Sequence, residues 1–340
     1  MELALYHPVH GYYERRLDQV GRNGDFQTSV SVGPLFGGLL AWRFASWLEQ
    51  QSPGADLHLV EAGAHQGQLA ADILTGFARH HPQLLARITY FVIEPSARRR
   101  TAQQTFLQDV PGVIRWVDDF AQLDRATGGV RGVIFSNELL DAFPLHRLTW
   151  SSAKRSWIEQ GITTDGDRLA WAPLPLPSAG KPPRPVDAAL ATVIPDGFAV
   201  ESSPAAVSWW KQAAHSLCEG RLIALDYGLE ADEFLDPARA AGTLRGYQNH
   251  AYADDVLAHA GEQDLTAHVN WTAIRAAGET AGLQTETITS QGRFLTTILR
   301  DWSVAEPAAA NLSPKQIREF QTLTHPQHFG TRFQALVQRR

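Results

Sequence analysis

Between residues 57 and 149 the chain repeats one pattern, and that pattern restricts the fold more than any other feature. A short apolar or β-branched run is followed by a loop, and then by apolar residues at helical spacing. Leu57 to Glu61 reads as a buried strand ending in an acid. Leu69, Ile73 and Phe77 mark the helix behind it, with Pro82 just past its end. Ile88 to Glu94 repeats the strand and the acid, and Ala97 to Leu107 repeats the helix. Val113 to Val117 is a third strand, followed by Asp118-Asp119, and Gly132 to Asn137 is a fourth. Strands alternating with helices build a parallel sheet with helices on both faces, so the expected class is α/β.

The alternation then breaks. Ser156 to Ile162 and Arg168 to Trp171 flank Asp165-Gly166 as a β-hairpin, and a proline-rich stretch runs from Pro173 to Pro195. Together they read as an insertion over the sheet edge. Pro204 suits the first turn of a further helix, Gly220 marks its end, and Arg221 to Asp226 is a fifth strand. Thr272 to Ala281 is a helix stopped by Gly282. Gln284 to Ile288 and Phe294 to Leu299 then read as two strands joined at Ser290-Gln291-Gly292. NAD-binding Rossmann sheets finish with another parallel crossover. A terminal antiparallel hairpin is instead the finish of sheets that bind S-adenosylmethionine.

Composition narrows the function classes. With 340 residues, 44% hydrophobic and a net charge of −6, the chain has material for a large core and lacks the basic surplus of a dedicated nucleic-acid binder. Cys218 is the single cysteine, so no intramolecular disulfide forms; it reads as a small buried hydrophobe. No run of about 18 apolar residues marks a membrane span. The first residues lack the basic region and long apolar stretch of a secretory signal. The expectation is a cytoplasmic protein, with a mitochondrial matrix disfavoured by the lack of a transit peptide.

The candidate chemistry lies at the carboxyl ends of the strands. In Glu61-Ala62-Gly63-Ala64-His65-Gln66-Gly67, glycines let the backbone turn and let a ligand approach. A dinucleotide fingerprint would require glycine at 63, 65 and 68, where 65 is His and 68 is Gln. A cofactor such as S-adenosyl-L-methionine, which has no pyrophosphate, wants glycine at 63, 65 and 67, and two of those are present. The same residues would also serve a plain strand-to-helix turn. Glu94 can accept both ribose hydroxyls, and Asp118 or Asp119 can receive an adenine amino group. Acids there also serve as helix caps. Ser136-Asn137-Glu138-Leu139-Leu140-Asp141-Ala142-Phe143-Pro144 leaves strand four with two carboxylates and an amide that could hold a nucleophile and take its proton. In the alternative, Asn137 and Asp141 only cap the segment while the apolar residues pack beneath it. His7 and His10, split by proline and without a cysteine cluster, do not make a metal site, and none is expected. His250 and His268 could each be a general base or a neutral, hydrogen-bonded histidine. Trp209 and Trp210 read as core and rim.

These strings, in order, resemble the MidA-like class I methyltransferases, a family that includes the mitochondrial protein-arginine methyltransferase assisting respiratory complex I assembly. The resemblance runs along nearly the whole chain. It includes Leu5-Tyr6-His7-Pro8, Gly11-Tyr12-Tyr13, Gly24-Asp25-Phe26-Gln27-Thr28-Ser29, the Glu61 loop and Asn137 to Pro144. It continues through Glu201-Ser202-Ser203-Pro204, Asp226-Tyr227-Gly228, Gly242-Thr243-Leu244-Arg245 and Asp264 to Val269, and ends at Phe329-Gly330-Thr331-Arg332-Phe333. It implies a Rossmann-like sheet, mostly parallel with a terminal antiparallel hairpin, in a core at 41–150 and 197–302. Residues 1–40 would cover the site, 151–196 would be the insertion and 303–340 a helical tail.

By the same resemblance Glu61, Gly63 and Gly67 line the methionine end of S-adenosyl-L-methionine, Glu94 the ribose, and Asp118 or Asp119 the adenine. Asp25, Phe26 and Thr28 belong to the covering segment, and Asn137 and Glu138 face the methyl group. The partner is a protein substrate, such as a respiratory complex I subunit, or a small molecule; a homodimer is compatible with the family. Glu138 is the expected proton acceptor, supported by Asp141. The chain departs from the family at His65, where the others carry glycine, and at Ser29-Val30-Ser31, which replaces Ser-Pro-Glu. A methyltransferase-like assembly factor without catalysis is therefore the rival reading, and a nicotinamide oxidoreductase the third.

Overall fold

The strand that opens the sheet, β1 (Leu57–Ala62), is buried at every residue, as a strand covered on both faces must be. β2 (Ile88–Ile93), β3 (Val113–Val117), β4 (Val130–Asn137) and β5 (Leu217–Leu229) follow in sequence, then β6 (Gln284–Ser290) and β7 (Phe333–Arg339). The computed structural model describes residues 1–15, 28–51, 54, 56–174, 180–248, 251–253, 255–307 and 311–340. The strands lie in the order β6-β7-β5-β4-β1-β2-β3. β1 to β5 pair in parallel, and β7 runs antiparallel to both β5 and β6. The order reverses between β1 and β4, the place where open α/β sheets bind ligands at their carboxyl ends.

The antiparallel finish is present, but the sequence reading assigns it to the wrong residues. Phe294 to Leu299 is not a strand. It lies in α5 (Gln291–Ala305), the fifth of six helices that matter here: α1 (Leu35–Leu48), α2 (Gln68–His80), α3 (Ala97–Leu107), α4 (Phe120–Thr127), α5 and α6 (Pro314–Thr324). Ser290 caps α5 through its hydroxyl, which accepts from the Arg293 N–H at 3.4 Å. Phe294, Leu295, Ile298 and Trp302 are all buried at helical spacing, which outweighs the strand preference of a short β-branched run. The second antiparallel strand comes instead from the end of the chain. The expected helical tail therefore holds α6 and then β7, which inserts between β5 and β6.

The chain divides into two compact units. One comprises Leu17–Leu139, Lys211–Tyr227 and Gly278–Arg340, and holds the main sheet. Its core joins α1, α2, α5 and the sheet through Phe36, Phe44, Leu59, Phe77, Phe135, Ile223, Leu295 and Ala335. The other comprises Met1–Arg16, Leu140–Trp210 and Gly228–Ala277. In it the expected hairpin, Ser156–Asp165 with Arg168–Pro173, continues through His146–Ser151 to Ala199–Ser202 as a four-stranded antiparallel sheet. The insertion is thus completed by residues on either side of 151–196, because a lone hairpin cannot bury its apolar face. Leu148, Trp150, Phe198, Val200 and Phe234 form that core. Trp210 is fully buried and Trp209 half-buried against Phe143, so the pair does split into core and rim, in the reverse of the expected order. Cys218, expected inside, is exposed: it is the residue skipped where the pairing of β4 and β5 shifts register, between the pairs Val130 with Leu217 and Arg131 with Glu219.

Candidate functional site

The loop after β1 is built from left-handed turns. Gly63 has φ +77° and Gly67 φ +95°, and a Cβ on Gly63 would lie 3.0 Å from Leu139 Cδ1. Glycine is needed at 63 both for the dihedral and for the close approach. His65 holds φ +50°, so it occupies the backbone conformation that its glycine counterparts favour, at a cost of about 1–2 kcal/mol. Its imidazole is half-buried, and burial together with Arg99 pushes its pKa down to about 3, so the ring is neutral. Glu61, at the end of β1, is buried, and its Oε2 accepts from the Tyr90 hydroxyl at 2.6 Å. Burial pushes its carboxyl up to about 7, against the opposing effect of the Tyr90 bond.

Glu94, just past β2, is also buried, and both of its oxygens are held. Oε1 accepts from the Ser96 N–H at 3.0 Å. Oε2 meets Gln103 Nε2 at 3.0 Å and Arg99 Nε at 3.3 Å. The two acids after β3 behave differently. Asp119 is the N-cap of α4 and accepts from the Gln122 N–H at 2.7 Å, while Asp118 is exposed and paired with Arg100. The capping alternative thus describes Asp119; both acids are exposed, and Asp118 is the one whose carboxylate does not cap α4.

At the end of β4 the chain turns through Glu138, whose φ of +51° is uncommon for a residue with a Cβ. The turn is held from below. Glu138 N–H donates to the Leu225 carbonyl at 2.9 Å, and Leu139 N–H donates to Asp226 Oδ2 at 3.1 Å. Asp226 is fully buried, and its Oδ1 accepts from the Tyr227 N–H at 2.9 Å. Two donors meet Glu138 Oε1, the Ser29 N–H and Asn137 Nδ2, both at 3.1 Å. The buried Oδ1 of Asn137 has no hydrogen-bond partner among the described residues. An orphaned buried acceptor costs about 1–3 kcal/mol, which a ligand donor would recover.

Thr28 is an N-cap: its hydroxyl accepts from the Ser31 N–H at 3.2 Å, and Ser31 returns the bond, so the departure from the family at residue 31 completes a capping box. It is the next residue, Ser29, that reaches Glu138. Asp25 and Phe26 lie outside the described residues, as does His250. Asp141 belongs to the other unit. There it is buried in the turn Leu140–Ala142, its carbonyl accepting from the Ala267 N–H at 3.0 Å. In that unit His268 is pushed down to about 4 by burial, with Arg239 and Arg245 adding to the effect, so it is a neutral histidine. His7 Nδ1 accepts from the Val9 and His10 N–H groups at 3.2 and 3.1 Å, which is turn chemistry.

The main-sheet unit therefore brings together Glu61, Gly63, Gly67, Glu94, Asp118, Asn137, Glu138 and the Thr28-Ser29 pair. The sequence reading missed Ser29, Gln103 and Asp226 as site residues. Asp226 carried a signal, an acid at the end of a strand; Gln103, in a run of polar helix residues, carried none.

Comparison with known proteins gives this arrangement a context. Residues 39–289 match a family model described as "Putative S-adenosyl-L-methionine-dependent methyltransferase". The mitochondrial protein arginine methyltransferase NDUFAF7 of Mus musculus is 28% identical over 98% of this chain and 78% of its own length. Its homologue in Drosophila melanogaster is 26% identical over 99% and 79%. A crystal structure from Burkholderia thailandensis, bound to S-adenosyl-homocysteine, superposes with a TM-score of 0.80 at 29% identity, covering 100% of this chain and 86% of that one. The cytoplasmic placement expected from composition is overturned by the curated relatives, which are labelled mitochondrial.

Proposed function

We propose an acceptor and a set of site residues from this premise: the chain belongs to the MidA-like family of S-adenosylmethionine-dependent methyltransferases. The acceptor is a guanidinium nitrogen of an arginine side chain on a protein substrate, as the names of the mouse and fly relatives suggest for them. Within that class, a subunit of respiratory complex I is the substrate that the family resemblance favours.

The residues of this chain fit the cofactor. Gly63 and Gly67 give the loop after β1 its left-handed turns and let it pack against Leu139 and Leu107, and the cofactor's methionine end would lie along that loop. Glu94 would take the ribose hydroxyls, Asp118 the adenine amino group, and the orphaned Oδ1 of Asn137 a polar hydrogen of the ligand. Glu61 and Tyr90 support the loop from beneath. When bound, S-adenosylmethionine supplies a methyl group on a positively charged sulfur.

The observation that carries the mechanism is Glu138, a carboxylate at the tip of β4 whose Oε1 is gripped by Ser29 and Asn137. An arginine guanidinium, with a pKa above about 12, does not shed a proton in advance. Its nitrogen must lose that proton as the N–C bond forms and the C–S bond breaks. Glu138 would orient the nitrogen and accept the proton, with alignment in a dry site contributing the rest.

The test is incubation of the protein with labelled cofactor and a mitochondrial extract, followed by hydrolysis of the labelled proteins. Label in methylarginine supports the reading. Label in another residue, or in a small molecule, with S-adenosylhomocysteine binding intact, would overturn the acceptor.

A further inference from the structure

We propose that Gln103 is a positioning residue for cofactor binding, its buried amide tying the loop after β1 to the carboxylate after β2. The proposal rests on the reading that S-adenosylmethionine binds at these two elements. Gln103 lies on α3 and is completely buried. Its Nε2 donates to the His65 carbonyl at 2.8 Å and to Glu94 Oε2 at 3.0 Å. Its Oε1 accepts from Trp116 Nε1–H at 3.0 Å.

The third bond fixes the direction of the other two. An indole N–H only donates, so the atom facing Trp116 must be the amide oxygen. The two hydrogens on nitrogen then face two acceptors in different parts of the fold. One is the backbone of the left-handed residue that replaces a glycine, and the other is the acid assigned to the ribose. A single planar group therefore sets the spacing of two cofactor contacts without touching the cofactor. Removing it leaves both acceptors short of a donor at a buried position, and the loop and the acid lose their common reference. The charged and titratable groups around the amide are Glu94, Arg99 and the His65 ring.

The experiment titrates wild type, Gln103→Met, Gln103→Glu and Trp116→Phe with S-adenosylhomocysteine by calorimetry at about pH 5.5 and about pH 8, with thermal unfolding in parallel. Gln103→Met should weaken binding about tenfold at both pH values, the scale of one lost bond to a charged group. Gln103→Glu keeps the volume and the Trp116 acceptor but sets a second carboxyl against Glu94. Its affinity relative to wild type should fall more than about tenfold at pH 8 and recover severalfold at pH 5.5, where a shared proton restores a donor. Trp116→Phe should weaken binding by a few-fold, since the amide is then free to rotate. A merely structural glutamine would not produce that pH-dependent ratio. The proposal is overturned by folded Gln103 variants that bind as wild type does, or by a Gln103→Glu deficit of equal size at both pH values. If the Gln103 variants do not fold, unchanged binding in Trp116→Phe overturns it alone. A wild-type protein that fails to bind overturns the cofactor assignment itself, and this inference with it; a wild type that binds beside indifferent variants overturns only the role of Gln103.

Discussion

Glu61 should make the protein less stable as pH rises, and the size of the effect follows from its surroundings. The carboxyl is buried at the end of β1, accepts from Tyr90, and is raised from 4.5 to about 7. A carboxyl with a higher pKa in the folded state holds its proton more tightly there than in the unfolded chain. Below about pH 4.5 both states are protonated and Glu61 costs nothing. As pH rises the unfolded chain ionises first, so stability is lost from there upward, and the loss is complete above about pH 7. At about 1.4 kcal/mol for each tenfold change in proton affinity, the full cost is about 3 kcal/mol, of which 2 to 3 kcal/mol accrues between about pH 5 and pH 8. Glu61→Gln keeps the shape and the oxygen that Tyr90 donates to, but cannot ionise. Urea unfolding of both proteins across that range should therefore show the variant gaining on wild type by about 2 to 3 kcal/mol as pH increases. A difference that stays constant with pH would refute the argument, because it would mean that Glu61 titrates alike in the folded and unfolded states.

Other expectations follow from the same geometry. Glu138→Gln should lower turnover by more than about 100-fold while S-adenosylhomocysteine affinity changes less than about threefold; a loss of affinity with turnover intact at saturating cofactor would remove Glu138 from the proton-transfer role. His65→Gly should leave that affinity within about threefold, since His65 already adopts φ +50°. A large gain in affinity would mean instead that the imidazole obstructs the site. Gln291 is fully buried and accepts from the Ser29 hydroxyl at 3.1 Å while donating to the Leu323 carbonyl at 3.1 Å. Gln291→Leu should therefore disturb the Ser29 grip on Glu138 and reduce kcat about tenfold with cofactor affinity retained; steady-state kinetics with an identified substrate would decide it.

Much of the fold was written locally. β1 to β4 and α3 were legible because each is a continuous apolar run or a capped helical stretch, and periodicity is a property of neighbouring residues. The acids and glycines at the strand ends were legible for the same reason, since a parallel sheet places every strand end on one edge. Only tertiary structure decided the rest. The segment from Gln291 is a helix because its buried face finds α1 and β7, and β7 becomes a strand only because two distant strands flank it. Asp119 and Asp118 could not be told apart until α4 claimed one as its cap. His65 marked a departure from the family, yet its sequence position says nothing of the left-handed backbone it adopts. Gln103, Ser29 and Asp226 took on their roles through bonds to residues 9 to 109 positions away. Local chemistry names the groups at a sheet edge, and long-range packing decides which of them are spent holding the others in place.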